Sequence, residues 1–216
     1  MRRVSILAAL FLVSVVAHAA TMYDVTGLSP FGFANQIVLV EGWQQAALYN
    51  NVTITAPLRD NSSGGPIVGV EGTVYLTNSI GPGTTAANLV APPVSISGLT
   101  ASFTTQVLFT GLTLGPGNYF LVFKSTNTNP LSMSMEGSSF PVVTAGVGIF
   151  PRGGGSVVTS DPFPPASNVT LQPPGNLFVT VTGDLVTDFS IPALSTWALL
   201  ILGGVLLVVG LKAAGR

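Results

Sequence analysis

No cysteine occurs in the 216 residues. Disulfides, thiolate metal ligands and a cysteine nucleophile are thereby excluded. Histidine occurs once, as His18, inside a stretch that reads as a removable leader. A mature chain without it has no imidazole base, no Ser-His-Asp triad and no His-ligated zinc. Charge is scarce as well: only 7% of residues are charged. The eight acids, Asp24, Glu41, Asp60, Glu71, Glu136, Asp161, Asp184 and Asp188, are scattered. Their spacing singles out no glycosidase pair, although such a pair is set by geometry rather than by sequence. No residue is marked as catalytic. No EF-hand or nonapeptide calcium motif is present. Asp60-Asn61 and Asp161 lie in stretches that read as loops and offer oxygen ligands, but solvated loop acids are the plainer reading, so neither a metal site nor a cofactor is expected.

Both ends are strongly apolar. At the start, Arg2 and Arg3 precede an apolar run from Val4 to Val16, and Ala17-His18-Ala19 follows. That order is the layout of a secretory signal, residues 1–19, cut by signal peptidase between Ala19 and Ala20. The rival is an uncleaved N-terminal helix. At the other end no charged residue falls between Phe189 and Leu211, and Lys212 and Arg216 follow. A helix rises about 1.5 Å per residue, so spanning a hydrocarbon core takes roughly 20 residues. Residues 194–214 supply that length if Lys212 snorkels. Trp197 sits where an interfacial aromatic belongs, and Ser195 after Pro192 fits an N-cap. The positive-inside bias makes Lys212 and Arg216 the cytoplasmic anchor and places everything upstream outside. The rival here is a buried helix of a soluble domain. Without the four cations of the two ends, Arg59, Lys124 and Arg152 face eight acids, a net charge of about −5. An acidic domain without a basic patch argues against a nucleic-acid partner.

Between the ends the chain reads as strands and turns. Glycine (25) and proline (16) are frequent, as all-β chains with many turns require. Val52, Ile54, Ala56 and Leu58 alternate with Asn51, Thr53 and Thr55, the period of a half-buried strand. Val74, Leu76 and Ile80 predict another. Gly81-Pro82-Gly83 fits a type II turn. Leu112-Thr113-Leu114-Gly115-Pro116-Gly117-Asn118-Tyr119 places a second such turn before Tyr119–Lys124, which is apolar on both faces and so predicts a covered central strand. Pro141–Phe150 reads as a strand, residues 152–174 mostly as loop with a short strand over 168–171, and 177–182 as the closing strand. The expected fold is all-β: a two-sheet antiparallel, jelly-roll-like β-sandwich of about eight to ten strands. It would span residues 20–182, with a linker over 183–190 and the signal and transmembrane helices on either side.

The aromatics Trp43, Tyr49, Tyr75 and Tyr119 are first of all core candidates. Trp43 with Gln44 and Gln45 is the exception singled out as a candidate glycan contact, because amides beside an indole suit a sugar.

Ile191-Pro192-Ala193-Leu194-Ser195-Thr196-Trp197, followed by an apolar helix and terminal cations, resembles a PEP-CTERM-type sorting signal, closest to its IPTL-CTERM variant. Ile191, Pro192, Leu194, Ser195 and Trp197 match that variant. Ala193 stands for its threonine, Thr196 for its glutamate, and the terminal arginine cluster is thinned. The resemblance covers the last 26 residues, 191–216. It implies recognition by an exosortase, a membrane cysteine transpeptidase of Gram-negative bacteria that make extracellular polysaccharide. The tail would be cut near the motif. The leucine, turn and tyrosine-led strand also resembles the exported β-sandwich domains often joined to such tails. In a bacterium, the Asn-x-Ser/Thr sequences at Asn51, Asn61 and Asn168 are best read as chance. The expected function is therefore an exported, exosortase-sorted surface or matrix protein without catalysis. It would pass through an inner-membrane-tethered intermediate and associate with exopolysaccharide at the cell surface. Alternatives are a lectin-like module, for which burial of Trp43 would count against, and a two-carboxylate glycan hydrolase. A eukaryotic GPI signal is opposed by the Ile-Pro-x-Leu-Ser motif and the cationic end.

Overall fold

In a computed structural model of the chain, the described residues are 19–28, 31–34, 38–60, 69–125, 133–155, 163–167, 169–171 and 176–186. The expected leader up to His18 and the whole expected sorting tail, including the helix expected over 194–214, lie outside them. Among the described residues no helix is long and apolar enough to cross a membrane. The strands are β1 (Ala19–Leu28), β2 (Phe31–Ala34), β3 (Leu39–Gln45), β4 (Tyr49–Asp60), β5 (Val70–Thr77), β6 (Val94–Ser97) and β7 (Thr104–Leu114). They continue with β8 (Gly117–Ser125), β9 (Met133–Ser138), β10 (Phe140–Ala145), β11 (Val147–Gly155), β12 (Val169–Leu171), β13 (Asn176–Leu177) and β14 (Thr180–Leu185).

These strands form two antiparallel sheets. The first runs β10-β1-β14-β4-β9-β13, with β7 on the free side of β4 and β2 on β9; the second runs β12-β11-β3-β8-β5-β6. Alternation decides which side chains meet between them. On β4, Val52, Ile54, Ala56 and Leu58 are buried, as their period predicts. The intervening Thr53 and Thr55 stand opposite Thr182 and Thr180 of β14, a hydroxyl-bearing outer face. The core joins Tyr23, Val25, Ile54 and Leu58 of the first sheet to Leu39, Trp43, Leu76, Leu121 and Phe123 of the second. Each fully buried aliphatic or aromatic side chain contributes roughly 2 kcal/mol.

The central position expected for Tyr119–Lys124 is found. β8 lies between β3 and β5, and Tyr119 to Phe123 are all buried. Phe120 and Val122 point away from the main core and pack with Val38 and Val40. A short 3-10 turn, Pro164–Ala166, lies against β8. Phe163 meets the Tyr75 ring edge-on at 5.9 Å, and Gly81 N donates to Pro165 O at 2.8 Å.

Four sequence expectations are corrected. The described residues hold fourteen strands rather than eight to ten, because the chain breaks both where it changes sheet and where it turns back within one. Residues 141–150 form parts of two strands, β10 in the first sheet and β11 in the second, divided at Gly146. The loop expected from Arg152 begins later, since β11 runs on to Gly155 and pairs with β12. The domain also reaches past Thr182. Gly183 to Leu185 belong to β14, and Val186 N donates to Leu48 O at 2.9 Å, so this part of the expected linker is sheet.

Two of the crossings between sheets turn at tight glycine corners. At Gly115-Pro116 the chain passes from β7 to β8, and the Tyr119 hydroxyl donates back to Gly115 O at 2.9 Å. This is the bond of a tyrosine corner, which locks an arch between sheets. At Gly146 the backbone is left-handed, φ +76°, and an added Cβ would overlap the Met22 carbonyl oxygen. Gly146→Ala should therefore cost about 3 kcal/mol or more, from strain plus displacement of β1. Gly81→Ala, at φ +87° in open space, should cost only about 1–2 kcal/mol. Urea unfolding of the two variants checks the ordering, and equal losses would contradict the corner's role.

Candidate functional site

Polarity concentrates at two places, one buried and one open. The buried one is built around Glu41, which is fully enclosed. Its side chain points inward from β3, between Val40 and Gly42. Three donors converge on the carboxylate: Tyr23 Oη at 2.6 Å and Asn176 Nδ2 at 2.8 Å on Oε1, and Leu177 N at 3.0 Å on Oε2. Tyr23 comes from β1 and the other two from β13, so Glu41 ties the second sheet to the first. Burial pushes the Glu41 carboxyl up to about 7, against the pull of its three donors. Burial, then the Glu41 charge, hold the Tyr23 hydroxyl protonated far above its ordinary range. Nothing outside the protein reaches this carboxylate, so it acts on the fold and not on a substrate.

Trp43 stands beside this network and is fully buried. Its ring stacks between Tyr23, at 5.9 Å, and Tyr119, at 5.5 Å. The expected glycan contact at Trp43 is thereby corrected. The reason is the pleat: successive residues point to opposite faces, so Trp43 and Gln45 turn inward while Gln44 is exposed. Gln45 is structural, its Nε2 donating to Leu114 O at 2.6 Å and Ala47 O at 2.9 Å. Gln44, Gln45 and Tyr49 do share the lining of a depression of about 190 Å³, with the indole beneath the surface.

The acids do not assemble an open pair among the described residues. Asp60 is the last residue of β4 rather than a loop residue, and it is buried. Glu71 is buried nearby, with Leu99 N on its Oε1 at 2.8 Å; burial first, and the Asp60 charge after it, raise its carboxyl. Asp24 accepts from Thr180 at 2.6 Å and Thr144 at 2.5 Å, and Asp184 from Asn51 at 2.8 Å. Among the described residues no three acids or histidines gather as metal ligands. Asn61 and Asp161, the sorting motif 191–197, Lys212, Arg216 and Ala17 lie outside the described residues. Ala19 and Ala20 open β1, opposite Asp184 and Gly183.

The open place is a cleft of about 510 Å³ at the β5 and β8 ends. One wall is the loop after β5, with Asn78, Ser79, Asn88 and Val90. The other is the corner before β8, with Pro116, Gly117, Asn118 and Tyr119. The loop is braced throughout. Gly81-Pro82-Gly83-Thr84 is the type II turn expected, with Gly83 at φ +94° and Thr84 N donating to Gly81 O at 3.0 Å. Thr85 and Asn88 cap a 3-10 turn reciprocally. Asn78 N donates to Asn88 O, and Val90 N to Leu76 O. The Asn88 amide donates to Asn78 Oδ1 at 3.0 Å. No lining side chain is charged, so the cleft offers neutral donors and acceptors. Sequence reasoning missed it, although the two Gly-Pro-Gly segments that frame it were visible, with Asn118 directly after the second; only the first is a type II turn, since Gly117, at φ +159°, already starts β8.

Neither a protein-family model nor a curated protein matches the chain.

The buried carboxylate sets a pH dependence. A carboxyl raised from 4.5 to about 7 binds its proton more tightly when folded, so the unfolded state holds fewer protons between those values. Stability should fall as pH rises from about 4.5 to about 7, by roughly 3 kcal/mol in all, and level off above. Glu41→Gln should remove most of that slope, leaving the share of Glu71, whose carboxyl burial also raises. Glu41→Ala, which orphans three buried donors, should cost about 3–5 kcal/mol. Denaturant midpoints measured across this pH range check both, and an unchanged slope in Glu41→Gln would refute the assignment.

Proposed function

We propose that the chain is an exported, non-catalytic surface or extracellular-matrix protein, handed on by an exosortase-type sorting enzyme and associated with extracellular polysaccharide. In this reading signal peptidase cuts between Ala19 and Ala20. A membrane helix over 194–214, anchored by Lys212 and Arg216, then holds the domain outside the inner membrane. The sorting enzyme acts at the motif from Ile191 to Trp197, and the domain passes to the cell surface or matrix.

The observation that carries this reading is where the chain enters and leaves the sandwich. Ala19 opposes Asp184 and Ala20 opposes Gly183 on adjacent strands, so both ends of the domain emerge together. Once the leader is cut, the domain is joined to the expected anchor through the end of β14 alone. The acidic, sparsely charged composition suits exposure in a hydrated matrix. Two-carboxylate hydrolysis draws less support, because Asp60 and Glu71, the acids whose charges meet, are both buried. The lectin-like alternative loses Trp43 as its anchor and rests instead on the amide cleft.

The test is the intact mass of the protein recovered from the cell surface, in a host with and without its sorting enzyme. The expected mass begins at Ala20, and it ends near Ser195 only when the enzyme is present. A mass that still includes Lys212 and Arg216 in the competent host would overturn the sorting reading and leave a single-span membrane protein.

A further inference from the structure

We infer that the cleft between the loop after β5 and the corner before β8 binds a neutral, polyhydroxylated ligand, a sugar unit of an uncharged glycan. This rests on the reading of the chain as a domain exported among polysaccharides, and it gives that association a site.

Size and chemistry narrow the ligand. At about 510 Å³ the cleft falls in the range of small-molecule sites, roughly 300–1,000 Å³. No lining side chain carries charge, so an anion finds no Lys or Arg and a cation finds no carboxylate. The lining is rich in amides, so an apolar ligand would dry the Asn118 amide and the Asn78 amide N–H groups without pairing them, at a cost for each. A sugar hydroxyl both donates and accepts, and so does a primary amide.

The amides are also aimed. Asn88 is held from both sides, its Oδ1 accepting from Thr85 N at 3.0 Å and its Nδ2 donating to Asn78 Oδ1 at 3.0 Å. That fixes which end of Asn78 is engaged and leaves its amide N–H groups for a ligand. Asn118 is exposed on the opposite wall, making no side-chain bond to the described residues. Val90 and Pro116 add apolar surface for the C–H face of a sugar ring. The walls come from a braced loop and a tyrosine-locked corner, so little ordering entropy is lost on binding. The trio singled out by sequence, Trp43, Gln44 and Gln45, lies elsewhere and is no part of this site.

The test uses the full chain in detergent micelles, labelled for side-chain amide NMR. The probes are three neutral oligosaccharides (gluco-, manno- and N-acetylglucosamine-type) and a uronic-acid oligomer as the anionic control. At least one neutral probe should shift the Asn78 and Asn118 amide signals at millimolar concentration. Asn78→Ala and Asn118→Ala should each weaken binding roughly three- to tenfold, the loss of one or two hydrogen bonds. Asn118→Ala changes an exposed side chain, so its fold can be verified by an unchanged unfolding midpoint. The inference is overturned if no neutral probe shifts these amides, if the variants bind as well as the parent, or if the uronic-acid oligomer binds more tightly. It is overturned equally if the shifts fall on Gln44 and Gln45 instead. Binding in micelles does not depend on sorting, and the surface mass does not depend on the cleft. A lost tail without glycan binding would sink only the cleft, and glycan binding with an intact tail only the sorting reading.

Discussion

A carboxylate enclosed between two sheets is costly to desolvate, and the described fold is arranged so that Glu41 is not left alone there. Its three donors arrive from β1 and β13, strands far apart in sequence, and meet it on β3. Removing any one of these strands would strand a buried charge, which costs far more than losing an apolar contact. The Tyr23 ring that supplies one donor also stacks on Trp43, which stacks in turn on Tyr119. The same tyrosine closes the β7–β8 corner through its hydroxyl. One chain of contacts thus runs from the buried acid, through three aromatic rings, to the turn that forms one wall of the open cleft.

The second constraint is the apolar outer face of β8. A strand buried on both faces needs a cover on each, and the second cover comes from the Pro164–Ala166 turn. That turn also holds the loop carrying the other wall of the cleft, through Gly81 and Pro165. The site is therefore fixed by packing on both faces of one sheet. Its rigidity is inherited from the core, although its lining is made of short polar side chains that pack little themselves. The scarcity of charge is visible here too, because no lining side chain of the cleft is charged.

Much of the fold was legible in the residues. The alternation of Val52, Ile54, Ala56 and Leu58 foretold β4, the two-faced apolar run foretold the position of β8, and Gly81-Pro82-Gly83 foretold a turn with positive φ at Gly83. The division of residues 140–155 between two sheets was not legible. A strand on one side of Gly146 and a strand on the other carry the same local signal, and only the close approach of Gly146 to Met22 shows that the chain turns there. The candidate site was legible only in outline. Trp43-Gln44-Gln45 looked like a sugar platform because the three are adjacent in sequence, yet adjacency on a strand sends neighbours to opposite faces.

By itself, the sequence determined that no thiol is present and that the one imidazole, His18, lies near the start of the chain, that both ends are apolar, and that the middle is built of strands and turns. These properties are local, fixed by composition, by period two and by the conformations open to glycine and proline. The tertiary structure decided which polar groups are hidden and which are offered. It buried Glu41 and Trp43 and carried β14 beyond Thr182. It also brought Asn78, Asn88 and Asn118 to one cleft from two separate turns. The physical reason is that burial and convergence depend on strand pairing across long sequence separations, and no local propensity encodes which strands will pair.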